Sequence, residues 1–302
     1  MNNVINEIMT KKIGDIIVDA PLSKYTTYRV GGTCRLLVYP KNLEKLIELM
    51  EIIDREQIKY FILGNGSNVL FSDDIYEGII IKLDNFSNIE YLDNLVLVGA
   101  GYSLVKLSLE VAKRGLAGLE FASGIPGTVG GAVFMNAGAY NSDMKSIVKS
   151  VTVLTPDLKV ISLSNEEMNF AYRESFLQHN RGFICLEVLL KLRHGEKEAL
   201  EEVMKDRKLK RKRTQPLEYP SAGSVFRNPE GLFAGKLIED LNLKGYQVGG
   251  AKISEKHANF IINVGNAKAS DIKEIIDVVK EKVKEKYDIT LRVEQRLVNW
   301  DE

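Results

Sequence analysis

The chain is poor in the residues that build metal centres and disulfide frameworks. Its 302 residues include two cysteines and three histidines. Cys34 and Cys185 show no metal-ligand spacing and sit in apolar, strand-like surroundings, where buried structural thiols are expected. There is no H-E-x-x-H segment and no ordered Ser/His/Asp set, so no metal is expected in the chemistry. An excess of either charge is also lacking. The 41 Lys and Arg balance 41 Asp and Glu, which leaves no general field for nucleic acid or an anionic membrane. No apolar run reaches membrane-spanning length, and residues 1–14 lack the apolar core of a secretory signal. A cytoplasmic protein is expected. Internal repeats and low-complexity tracts are missing. What remains is 45% hydrophobic and 27% charged, an ordinary soluble composition at a length that suits two or three domains.

Against that background, Ser123 to Tyr140 stands out: five glycines (Gly124, Gly127, Gly130, Gly131, Gly138) and no charge. Glycine loses more backbone entropy on folding than any other residue, so such a run implies a close approach, most often of backbone N–H groups to a phosphate. Neither G-x-x-x-x-G-K-[ST] nor G-x-G-x-x-G after a strand occurs, so a different nucleotide cradle is expected. A second segment, Gly64-Asn65-Gly66-Ser67-Asn68, follows the apolar run Tyr60 to Leu63. Alone it reads equally as a β-turn; with the first segment, a shared dinucleotide ligand becomes the better reading.

Periodicity gives a coarse map. Strands are expected at 36–39, 60–63, 78–83, 95–100, 150–154, 159–163, 182–192 and near 260–263, with a final one over 289–297. Helices are expected after Leu43, after an N-capping Ser103 and up to Gly115, and over 196–213, 232–241 and 270–287. Ser123 to Tyr140 is expected to be a loop. The basic run Lys208, Lys210, Arg211, Lys212, Arg213 suits a helix C-terminus and a solvated face; contact with a diphosphate is the alternative.

Three further places could carry chemistry. Pro220 to Pro229 brackets a small-residue turn on which Ser224 could present its hydroxyl or simply cap the bend. Arg173, in Tyr172-Arg173-Glu174-Ser175, could hold a carboxylate in bidentate fashion or make a surface ion pair. Glu294 alternates with Val293 and Gln295 in a strand pattern that leaves its face open. His257, heading His257-Ala258-Asn259-Phe260, reads as structural.

In order along the chain, seven segments resemble those of the UDP-N-acetylenolpyruvoylglucosamine reductase family, a family of flavoenzymes. They are Thr26 to Gly32, Gly64 to Asn68, Gly124 to Ala132, Met135 to Tyr140, Tyr172 to Ser175, Gly223 to Pro229 and His257 to Asn263. The resemblance runs from about residue 21 to residue 298, and the short stretch after Glu187 resembles the short class of the family.

The resemblance implies an α+β fold: a segment 1–20, an FAD-binding domain of the vanillyl-alcohol oxidase/PCMH type with two subdomains over 21–200, and a C-terminal α+β substrate domain over 201–302. It implies NADPH-dependent reduction of an enolpyruvyl sugar nucleotide to UDP-N-acetylmuramate by way of FAD, in peptidoglycan precursor synthesis. FAD is expected to be non-covalent, since no histidine lies near either glycine segment. Ser224 would deliver the proton; Arg173 and Glu294 would stabilise the enolate, Glu294 as a neutral donor. Cofactor contacts would fall to Arg29, Gly64, Asn65, Gly66, Ser67, Asn68, Gly124, Pro126, Gly127, Thr128, Gly130, Gly131, Asn136, Gly138 and Tyr140. Substrate contacts would fall to Tyr172, Lys212, Asn228, His257 and Asn259, with Arg213, Gln215, Arg227 and Lys256 as further candidates for the diphosphate. A monomer acting on small molecules, without nucleic acid or membrane, is expected. The chain departs from the family pattern at Cys34, Asn141, Gln295 and Asn299. An FAD-dependent oxidase of the same fold and a non-catalytic flavin or nucleotide-sugar binder are the alternatives; Ser224, Arg173 and Glu294 in family order argue against the oxidase.

Overall fold

The strand Ile184–Lys191 shows how alternation builds the larger sheet: Leu186, Val188 and Leu190 are buried while Glu187, Leu189 and Lys191 are less so. It sits third in a five-stranded antiparallel sheet ordered Val160–Ser164, Val148–Leu154, Ile184–Lys191, Leu95–Gly99, Ile89–Leu92. A four-stranded sheet is ordered Gly14–Pro21, Thr33–Pro40, Tyr76–Ile81, Tyr60–Ile62, the last two parallel. The computed structural model describes residues 1–300, and these fall into two units. One comprises Met1–Val18, Leu36–Asn65 and Gly78–Leu209; the other comprises Asp19–Arg35, Gly66–Glu77 and the chain from Lys210 on.

Each unit has its own core. In the first, the helix Leu43–Arg55 buries Leu46, Leu49, Ile52 and Ile53; the Asn42 side chain caps it by accepting from the Lys45 N–H at 3.0 Å. Leu104–Lys113 is capped by Ser103, and Gly115 follows at φ +70, as its spacing suggested. In the second unit, the helix Ala269–Tyr287 turns Ile272, Ile275, Ile276, Val279 and Val283 into a core shared with Leu70, Phe226, Leu237 and Leu291. That unit also holds an antiparallel sheet of Gln247–Val248, Ala251–Ile253 and Ile261–Asn263, and a parallel pair of Val69–Phe71 with Arg296–Val298. Among the described residues, no helix is long and apolar enough to cross a membrane.

Residues 1–20 hold a helix, Asn2–Thr10, and a strand, Gly14–Pro21. Two local expectations change. The Ser123 to Tyr140 segment is not all loop: it contains a helix, Val129–Phe134. Gly130 and Gly131 lower its propensity, but Thr128 accepts from the Gly131 N–H at 3.2 Å and Val129 and Val133 are buried, so capping and packing override composition. The last strand shrinks to Arg296–Val298; upstream of it, an isolated bridge of Phe226 with Val293 replaces a continuous ladder.

The long helix begins at a cap supplied from far away in sequence. The Asp73 carboxylate accepts from the N–H groups of Ala269 (2.8 Å) and Ser270 (2.9 Å) and from the Ser270 hydroxyl (2.9 Å). Asp73→Ala is expected to cost about 1–2 kcal/mol, the range for lost N-caps, with Asp73→Asn nearer wild type. Denaturant unfolding followed by far-UV circular dichroism checks this.

Candidate active site

Three of the expected site segments meet in the second unit. The Asn68 side chain donates through Nδ2 to the Glu294 carbonyl (3.2 Å), and the Arg296 N–H donates to the Asn68 carbonyl (2.9 Å). The Glu294 N–H donates to the carbonyl of Val225 (2.8 Å), and the Arg227 N–H to that of Arg292 (2.9 Å). The chain after Ser224 therefore runs antiparallel beside the segment carrying Glu294, and the end of the Gly64–Asn68 segment is fastened to Glu294. Ser224 and Glu294 are both half-buried.

Asn259 clamps the same turn from the other side. Its carbonyl accepts from the Val225 N–H (2.9 Å), its Oδ1 accepts from the Phe226 N–H (3.0 Å), and its Nδ2 donates to the Phe226 carbonyl (2.8 Å). The His257 Nδ1 accepts from the Asn259 N–H (3.2 Å), and the ring packs on Phe260 with centroids 4.7 Å apart. Burial holds His257 below its ordinary pKa. Asn228 caps the helix Ala234–Asp240, its Oδ1 accepting from the Ala234 N–H at 3.0 Å. Lys212 is exposed in the last turn of Lys197–Thr214, and Arg29 is exposed at φ +57. Lys256 pairs with Glu218 at 3.4 Å.

In the first unit, Asn136 is the organising residue. Its Nδ2 donates to Asp143 (3.1 Å) and to the Ala171 carbonyl (2.8 Å), and its Oδ1 accepts from the Lys145 N–H (2.9 Å). These bonds tie the loop after Gly138 to the loop carrying Tyr172 and Arg173. Arg173 itself, at φ +58, donates through Nη2 to the Gly138 carbonyl (2.9 Å), with its guanidinium 5.0 Å from the Tyr172 ring centroid. Tyr140 carries the Arg207 guanidinium over its ring at 4.6 Å.

The two glycine segments use their backbone differently. Gly127, Val129, Gly130 and Gly131 donate to Ile125, Tyr102, Ala100 and the Thr128 hydroxyl respectively, so these N–H groups serve the protein itself. Close packing explains several of the glycines: a Cβ on Gly130 would lie 2.9 Å from that of Ala100, and one on Gly64 would lie 2.7 Å from the Thr128 hydroxyl. By contrast, the N–H groups of Gly64 through Asn68 meet no acceptor among the described residues. Successive unspent N–H donors suit the phosphate oxygens of a dinucleotide.

Comparison with known proteins bears on this geometry. Residues 34–164 match the family model described as an FAD binding domain. Residues 215–298 match the C-terminal domain of UDP-N-acetylenolpyruvoylglucosamine reductase. The chain is 44% identical to UDP-N-acetylenolpyruvoylglucosamine reductase of Bacillus subtilis (strain 168), over 99% of both chains. It is likewise 44% identical to the protein of that name from Anoxybacillus flavithermus, again over 99% of each. The chain belongs to the UDP-N-acetylenolpyruvoylglucosamine reductase family. The crystal structure of the reductase from Thermus caldophilus superposes with a TM-score of 0.80 at 36% identity, covering 94% of this chain and 98% of that one. The α+β fold, with an FAD-binding domain and a separate C-terminal domain, is the one expected.

The departures from the reductase pattern have physical accounts. Asn141 at φ +58 and Asn299 at φ +63 occupy left-handed positions, which Asn tolerates better than most residues with a Cβ. Asn299 also donates to the Ser72 hydroxyl (3.1 Å) and the Ile75 carbonyl (3.2 Å). Cys34 is buried, which pushes its thiol up to about 11; Cys185 is pushed to about 12 in the same way. Sequence reasoning missed Lys82, a buried ammonium whose Nζ donates to the Gly64 carbonyl (2.9 Å) and pairs with Asp84 (3.2 Å). The available signal was a lysine closing an otherwise apolar strand, Ile79-Ile80-Ile81-Lys82.

Gly66 sets the bend of the Gly64–Asn68 segment. It lies at φ +63, and a Cβ would fall 2.1 Å from the Tyr25 carbonyl oxygen. Gly66→Ala is expected to cost at least about 2 kcal/mol, strain and clash together, and to lower flavin occupancy. Gly231→Ala, at φ +69 with open space around it, should cost about 1 kcal/mol. Denaturant unfolding of the flavin-free variants measures both.

Proposed function

We propose that the protein reduces UDP-N-acetyl-3-O-(1-carboxyvinyl)glucosamine to UDP-N-acetylmuramate, with non-covalent FAD as cofactor and NADPH as co-substrate, in peptidoglycan precursor synthesis. In this reading it works as a monomer in the cytoplasm. The observation that carries the reading is the pair of hydrogen bonds from Asn68 to Glu294 and from Glu294 to Val225. They fasten the segment with unspent N–H donors to the residue pair whose chemistry the reaction needs. FAD, when bound, supplies the hydride to the terminal carbon of the enol ether.

The residues of this chain supply the rest. Negative charge develops on the carbon next to the ether oxygen and on its carboxylate; preorganised donors aimed at such charge are commonly the largest catalytic contribution. The Arg173 guanidinium suits the carboxylate. Glu294 assists in stabilising that charge. Ser224 delivers a proton to the carbon, and its turn is held by Asn259 so that the hydroxyl has a fixed aim. Lys212 and Tyr172 offer exposed groups to the sugar nucleotide. Asn228, His257 and Asn259 serve by holding the loops that shape the substrate surface. The N–H groups of Gly64 to Asn68 receive the cofactor's phosphates, and Asn136 serves by bracing the loop that carries Gly138 and Tyr140.

The test is an anaerobic absorbance spectrum of the purified protein before and after NADPH, then after the enolpyruvyl sugar nucleotide. Flavin bands should bleach with NADPH and return with that substrate. Return only on admitting air would overturn the reading in favour of an oxidase, and absence of flavin bands after FAD is supplied would overturn the cofactor assignment. Ser224→Ala is expected to leave NADPH oxidation intact and to slow reoxidation by the sugar nucleotide about 10²-fold or more; equal slowing of both half-reactions would remove the proton-donor role.

A further inference from the structure

Gln295 is one of the few buried polar side chains of the second unit, 3% exposed. Its Nε2 donates to the carbonyl of Ala222 at 3.2 Å, with those of Gly223 at 3.4 Å and Ser224 at 3.5 Å around the same hydrogens. Its Oε1 accepts from the hydroxyl of Tyr28 at 3.0 Å. The amide can face only this way. Three carbonyls cannot donate, so they require the NH₂ end, and the phenol supplies the proton the other end needs.

Tyr28 is itself immobile. It is fully buried, its backbone carbonyl accepts from Asn263 Nδ2 at 3.1 Å, and burial pushes its phenol above the ordinary range, so it stays a donor. The carbonyls of residues 222–224 come around one amide where Gly223 takes φ +74 and the chain bends just before Ser224. A turn of this shape collects carbonyl oxygens on its inner side, and their mutual repulsion opens it unless a donor sits between them. Asn259 and Glu294 fix the turn only from Val225 onward. The backbone on the other side of Ser224 is held by Gln295.

We infer that Gln295, locked in orientation by Tyr28, is a positioning residue that fixes the aim of the Ser224 hydroxyl in the proton-delivery step. This rests on the reading of Ser224 as the proton donor. An apolar side chain at 295 would leave the carbonyls without their donor and the phenol without its acceptor, and the turn would sample other shapes. Binding of NADPH and of the sugar nucleotide involves other groups and should not respond.

The test uses the flavin-loaded full chain in separated half-reactions. Gln295→Leu should slow reoxidation by the sugar nucleotide about 10-fold, leave bleaching by NADPH unchanged, and leave the substrate dissociation constant within about 2-fold. In a Ser224→Ala background it should have no further effect on reoxidation, because both changes remove the same delivered proton. Tyr28→Phe keeps the fold and frees only one end of the amide; it should slow the same half-reaction by a few fold, and it carries the test if Gln295→Leu does not accumulate as folded flavoprotein. Additive slowing in the double variant, equal slowing of both half-reactions, or full-speed reoxidation by Gln295→Leu or by Tyr28→Phe would each overturn the proposal. A Ser224→Ala variant with unimpaired reoxidation would instead overturn the reading of Ser224 on which it stands.

Discussion

Two backbone hydrogen bonds, from the Glu294 N–H to the Val225 carbonyl and from the Arg227 N–H to the Arg292 carbonyl, fix the relation on which the candidate chemistry depends. They join segments about seventy residues apart in sequence, at a place where no continuous strand ladder does so. Asn68 extends the link on one side through the Glu294 carbonyl, and Asn259 extends it on the other through Val225 and Phe226. Main-chain bonds of this kind hold side chains at fixed points without consuming the side chains themselves. Ser224 and Glu294 are thereby set on neighbouring stretches of backbone.

The polar side chains around them follow a division of labour. Asn136, Asn228, Asn259 and Gln295 spend their amides on the protein's own carbonyls and N–H groups. An amide has both donors and an acceptor, so one residue can brace two loops at once. Satisfied in this way, such groups make burial affordable and the surrounding loops rigid. The backbone divides similarly: the N–H groups of the helix Val129–Phe134 are consumed at home, and those of Gly64 to Asn68 are left for a ligand. A short helix and an unpaired turn thus come from two segments of similar composition.

Much of the fold could be read along the chain because its signals are local. The stripe from Ile272 to Val283, the Ser103 cap with Gly115, and the strand at 184–191 all follow from periodicity and capping, and each appears where those rules put it. The helix at Val129 could not be read that way, because two glycines hide it and its cap and buried face decide it. The strand expected over 289–297 formed only at its end for the complementary reason: its alternation was present, but a strand also needs a neighbour over its whole length, and only the Phe226–Val293 bridge and the last residues find one. Family motifs marked Ser224, Arg173 and Glu294 without saying what holds them. Asp73 and the Tyr28–Gln295 pair were invisible, since each acts on a residue distant in sequence.

By itself the sequence determined the family, the α+β class, the longer helices, the Ser103 cap and the location of two glycine segments, because periodicity, capping and ordered motifs are properties of neighbouring residues. Only the tertiary structure decided that Asp19–Arg35 and Gly66–Glu77 pack with the chain beyond Lys210, that one glycine segment keeps its N–H groups unspent while the other spends them, and that Gln295 lies under the Ser224 turn. Those outcomes depend on which distant groups arrive at hydrogen-bonding distance, and a contact between residues 28 and 295 leaves no trace in the spacing of either one's neighbours.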